Sequence, residues 1–218
     1  MSQFSTLLLI IFYPIFFKRN HDKKFWVIFL YVVLSFVADI LVLKIKFYRT
    51  YFYGFFTLAE YTMFCYFLYL SFKSKSFKRF LIWCYPVFCL VLIYSIMHKY
   101  ITNYNFDYLS SSFEAILLII LSILFFYEQL QNPEINIVYA SKSFWIIIAI
   151  LIYMSATLFL FISTSILSSD FQLIKNLWLI NNGANIIKNI LFAIAFSKHI
   201  TLPIDSSDNR HSKIDLSH

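Results

Sequence analysis

The chain has 218 residues, of which 61% are hydrophobic, 22% aromatic and 13% charged. Soluble domains carry about 25% charged residues and about 45–50% apolar ones, so a soluble fold would need a core larger than its polar surface could cover. The net charge of +7 does not indicate nucleic acid: the basic runs KRNHDKK (18–24) and KSKSFKR (73–79) fill short gaps between apolar segments. Such clusters orient membrane helices and touch anionic headgroups; with no nucleic-acid-binding module visible, membrane lipids are the expected partner and nucleic acid is not.

Seven apolar segments follow one another, at roughly 3–17, 25–43, 51–72, 80–97, 113–130, 144–167 and 172–196. Each is expected to be a helix, because irregular backbone cannot face lipid. The first contains Pro14, and its basic residues Lys18 and Arg19 follow the apolar run. A secretory signal has its basic residues in front, so this segment is read as a retained span; six spans with an interfacial N-terminal segment is the alternative.

The second segment carries Asp39 in its outer third, with Ser35 one turn earlier. The third, YFYGFFTLAEYTMFCYFLYLSF, runs for twenty-two residues with Glu60 as its one charge. An ionised carboxylate near a bilayer centre costs at least ~2.5 kcal/mol, so Glu60 needs either partners or a use. Tyr53 and Thr57 share its helix face, two turns and one turn before it. Glu114 opens the fifth segment, where a first-turn position would let the helix dipole stabilise its charge, and Glu128 ends it at the interface.

The seventh segment, LWLINNGANIIKNILFAIAF, is the most polar. Lys188, Asn181, Asn185, Trp178, Asn189 and Asn182 fall within an arc of about 120°. Such a stripe should point into the bundle, and the stem of Lys188 could reach toward Glu60 to form a buried pair. The candidate ligand-binding cluster is therefore Asp39, Tyr53, Glu60, Glu114, Asn181, Asn182, Asn185 and Lys188. It suits a small polar ligand or a lipid headgroup; a satisfied interhelical network is the competing reading.

The expected architecture is an all-α polytopic transmembrane bundle of seven helices, one domain over 1–197, with a polar, disordered cytoplasmic tail at 198–218. Placing the N-terminus outside leaves twelve Lys and Arg residues inside (18, 19, 23, 24, 73, 75, 78, 79, 142, 198, 210, 213) and five outside (44, 46, 49, 99, 175). This asymmetry predicts N-out and C-in, in the cell (inner) membrane.

No H-E-x-x-H, G-x-S-x-G or P-loop is present, and two glycines leave little for phosphate-cradling loops. His21 and His98 are read as loop residues and His199, His211 and His218 as tail residues, while Cys65, Cys84 and Cys89 lie in apolar segments without a C-x-x-C pair. No metal site and no cofactor is expected, and the chain is read as more in keeping with a non-enzyme.

LAEY (58–61), FEAILLIILS (113–122), SFWIIIAILIYMSATLFLF (143–161) and LWLINNGANIIKNILFAIAFSK (177–198) resemble a family of seven-helix integral membrane proteins of Bacteroidota. That resemblance implies architecture rather than mechanism. Asp39, Gly54 and Glu60 also resemble the Asp–Gly–His arrangement of lysoplasmalogenase-like membrane hydrolases, with Glu60 where that family has histidine. It implies an alternative function, membrane-embedded lipid hydrolysis with Asp39 and Glu60 as acid–base carboxylates; a purely structural role is the third.

Overall fold

The computed structural model describes residues 5–11, 23–44, 49–102, 108–131, 141–166 and 171–197, and all regular structure among them is helical. Residues 5–11 form α1, followed by α2 (Lys23–Lys44), α3 (Arg49–Ser71), α4 (Lys75–Thr102), α5 (Tyr108–Gln131), α6 (Lys142–Ile166) and α7 (Phe171–Ser197). The remainder of the expected first span and the expected tail lie outside the described residues.

Five of these helices, α2, α4, α5, α6 and α7, are long and apolar enough to cross a membrane. The 23 residues of α3 give about 34 Å at 1.5 Å per residue, so length does not set it apart. Its tyrosines, threonines and Glu60 make it less apolar, which its position permits. α3 packs on α2, α4 and α5, and Tyr61, Phe64, Phe67 and Leu68 are fully buried. With that face packed on protein, α3 need not match lipid all round, although Phe55 and Tyr66 on its other side are exposed. By contrast α4, which packs on α3 and α5, exposes Trp83, Leu90, Ile93, Tyr94 and Met97, a face that lipid solvates without cost.

The remaining packing is α5 on α6 and α6 on α7. Side chains bring α7 back to α2, through Phe25 against Phe196 and Tyr31 against Phe192, each with ring centroids 6.4 Å apart. Helices α2, α3, α5, α6 and α7 thus enclose a common interior. Inside it, hydroxyls that have no water to bond turn back on their own helices: Ser71 on Phe67 O, Ser122 on Leu118 O and Thr164 on Leu160 O.

One end of the bundle is fixed by Glu128, which is buried in the last turn of α5. Its carboxylate accepts from the backbone N–H of Lys73 and Ser74, at the turn from α3 into α4. The N–H groups at a helix start have no intrahelical acceptor, and Glu128 supplies one from α5. Aromatic pairs Phe72–Phe77, Phe72–Phe125 and Phe126–Phe144 fill the same layer.

Two boundaries differ from the sequence reading. α4 continues past the expected end at 97, so His98 is helical and its ring lies 5.9 Å from that of Tyr94. α5 begins at Tyr108 and carries no acidic residue in its first turn. Glu114 therefore lies in the second turn, where the helix dipole offers it little.

Candidate functional site: a buried polar centre shared by five helices

Glu60 and Glu128 set the levels of the site. Glu60 lies thirteen residues before Lys73 and Glu114 fourteen before Glu128, and Lys73 and Glu128 are hydrogen-bonded. Since α3 and α5 run the same way, both acids sit about 20 Å from that end, at one depth on two packed helices. Glu60 is 6% exposed and Glu114 3% exposed, and their charges are within interacting range.

Glu60 is not alone. The Tyr31 hydroxyl, from α2, donates to Glu60 Oε1 at 2.7 Å. Lys188 Nζ, from α7, donates to the same hydroxyl at 2.7 Å. Lys188 is 1% exposed, so its whole stem is held in protein. The ammonium lies 3.9 Å from the centroid of the Tyr153 ring of α6, a desolvated cation–π contact worth about 2 kcal/mol. It is 4.8 Å from the Tyr31 centroid, a separation the hydrogen bond to the phenol oxygen already entails. The expected direct Lys188–Glu60 pair is thus corrected: a phenol stands between the two. A hydroxyl can accept and donate at once, which is what this position requires.

Packing holds the phenol in place. The Tyr31 ring lies 4.4 Å from Phe64, one turn beyond Glu60, and meets Phe192, one turn beyond Lys188. Aromatic contact and polar contact therefore pair the same helices.

The other predicted residues divide. Asp39 is half-buried and, like Glu60, is within electrostatic reach of Lys188; no hydrogen bond joins Asp39 to Glu60. Thr57 is buried on the Glu60 face, and Tyr53 is half-buried two turns away. Asn181 accepts from Thr157 Oγ1 of α6 at 3.2 Å. Asn189 donates to Ser5 Oγ at 2.8 Å and Thr6 Oγ1 at 3.1 Å, tying α1 to α7. Asn182 is exposed, contrary to the expectation that the whole stripe points inward. Lys188 and Asn182 mark opposite edges of the arc, about 120° apart, but angle alone does not set exposure: Asn189, about 20° from Asn182, is buried, whereas Trp178 and Asn182 lie in the more exposed first half of α7.

Three buried oxygens in this region have no hydrogen-bond partner: Glu114 Oε1, Asn185 Oδ1 and the Tyr61 hydroxyl. Buried polar atoms without partners are rare. Here they come from α5, α7 and α3, three of the helices that enclose the polar centre.

Sequence reasoning missed Tyr31, Tyr61 and Tyr153. Among sixteen tyrosines, none stands out by type. Tyr31 did leave a trace: Tyr31, Ser35 and Asp39 recur every four residues, a polar stripe on an otherwise apolar helix. Among the described residues, no group of three or more His, Cys, Asp or Glu side chains could hold a metal ion. Comparison with family models, curated proteins and solved structures gave no match.

Proposed function

We propose that this multi-pass helical membrane protein binds a small polar ligand or lipid headgroup at the centre around Glu60, in a ligand-binding, sensing or transport role. The observation that supports it best is the composition of that centre. Tyr31, Glu60, Glu114, Tyr153 and Lys188 come from five different helices (α2, α3, α5, α6 and α7). Intramembrane ionisable groups are costly and mark functional sites by default. A network that served only to join helices would be expected to satisfy its own members; Glu114 Oε1 and Asn185 Oδ1 are left over.

The basic-loop asymmetry supports N-out and C-in insertion in the inner membrane, which puts Asp39 and the Glu60–Glu114 level in the outer half or near the middle. A structural role has one observation in its favour, the completed hydrogen bonds from Lys188 through Tyr31 to Glu60. Native mass spectrometry of the full chain in mild detergent separates the two readings. Ligand binding predicts a co-purifying small molecule or defined lipid on the wild type that is absent from a folded Glu60→Gln variant. A structural role predicts the same lipid background on both.

A further inference from the structure

We infer that the outer face of α4 seats an anionic phospholipid, its headgroup on Lys75 and Arg79 beside the α3–α4 turn and an acyl chain along Trp83 and Leu90. The site is separate from the Glu60 centre and goes beyond the role proposed for it.

One face of α4 carries partners for both halves of such a molecule. Lys75, Arg79, Trp83 and Leu90 fall within an arc of about 80°, and all four are exposed. Leu81 and Phe88, about 180° round the helix from that arc, are buried, and Phe88 packs on Tyr61 of α3. The basic pair and the apolar stripe therefore share the side that α3 and α5 leave uncovered.

Spacing along the helix matches the layers of a bilayer. Arg79 lies about 6 Å below Lys75, and Trp83 about 6 Å below Arg79. A headgroup layer is about 5–8 Å thick, so the two cations span it. Trp83 then stands at the top of the hydrocarbon, the level at which Trp is enriched. Leu90 continues the stripe about 10 Å further in.

Charge selects the headgroup. Lys73, Lys75, Lys78 and Arg79 lie within seven residues, and clusters of this size beside a membrane helix attract anionic lipid. Among the described residues, Glu128 is the one carboxylate at this level. It is buried and accepts from the N–H groups of Lys73 and Ser74, which fixes the turn that carries the cluster. Lys78 Nζ leans over Tyr69 of α3, 5.1 Å from the ring centroid, which leaves Lys75 and Arg79 as the pair heading the apolar stripe. A free anion would use these cations and leave Trp83 and Leu90 uncovered; an anionic lipid covers all four.

The test is native mass spectrometry of the full chain in mild detergent, titrated with phosphatidylglycerol or with phosphatidylcholine of the same acyl chains. Wild type should retain phosphatidylglycerol preferentially, and the preference should fall as salt rises. Lys75→Gln/Arg79→Gln should lower it roughly thirtyfold, at about fivefold per charge near a membrane surface. Lys23→Gln/Lys24→Gln, the same charge loss on a helix that α4 does not pack against, should change it by less than about threefold, because salt screens distant charges. Trp83→Ala should weaken both lipids and leave their ratio unchanged. Equal retention of the two lipids by wild type, an unchanged preference without Lys75 and Arg79, an equal loss without Lys23 and Lys24, or a changed ratio in Trp83→Ala would overturn the inference. If the double variant does not insert, Lys75→Gln and Arg79→Gln singly decide it, each by a loss of about fivefold or by none. Glu60→Gln should keep the preference, so failure at the Glu60 centre and failure on α4 are read separately.

Discussion

Tyr31 donates a 2.7 Å hydrogen bond to Glu60 across the α2–α3 packing, while Lys188 donates to the same hydroxyl from α7 at 2.7 Å. One phenol thereby separates two opposite charges that could otherwise have collapsed into a direct pair.

Tyr31→Phe removes both hydrogen bonds and leaves two buried charged groups without their shared partner. Hydrogen bonds to charged groups are worth about 1.5–3 kcal/mol each, so the expected cost is roughly 3 kcal/mol. Tyr66→Phe, an exposed position on α3, should stay within about 0.5 kcal/mol. Unfolding of both variants in the same detergent checks the contrast.

Lys188 and Glu60 should behave as one unit. Lys188→Met alone strands a buried carboxylate, a loss of roughly 3 kcal/mol. Adding Glu60→Gln removes the stranded charge, so the double variant should be no less stable than Lys188→Met, with a coupling above ~1 kcal/mol. Strict additivity in the thermodynamic cycle would show that Tyr31 does not connect them.

The asparagines of α7 should separate by contact rather than by position in the stripe. Asn189→Ala releases Ser5 and Thr6, and should speed labelling of a cysteine introduced at Leu9 in α1, a buried residue. Asn182→Ala should leave that rate unchanged.

Glu128→Ala removes the acceptor for the N–H groups of Lys73 and Ser74. Loss of a cap costs about 1–2 kcal/mol, and the effect should be local: hydrogen exchange at the start of α4 should rise while that of Tyr31 and Phe64 in the centre does not.

The fold was legible because lipid imposes a simple rule. Long apolar runs must be helices, and six of the seven segments correspond to α2–α7. Glu60, Glu114, Asp39 and Lys188 were legible for the same reason, since charge inside such a run has few acceptable environments. Tyrosine gave no such signal: its ring suits both lipid interface and protein interior, and only the partner across the helix boundary distinguishes Tyr31 from exposed Tyr66. The inward sense of α7 was legible at Lys188 but not at Asn182: Asn189, beside it on the helix face, is buried while Asn182 is exposed, so exposure depends on what covers each level of the helix, which an angular pattern does not contain.

Ligand-dependent stability tests the central claim most directly. Wild-type protein as purified should be compared with protein stripped by extensive detergent exchange, and then with stripped protein returned to its own extracted ligand. At about one hundred times Kd a ligand adds about 2.7 kcal/mol, or roughly 5–10 °C for a chain of this length. A Glu60-centred site predicts that loss on stripping and its recovery on add-back, with neither in Glu60→Gln. Identical unfolding temperatures for purified, stripped and reloaded wild type would contradict it.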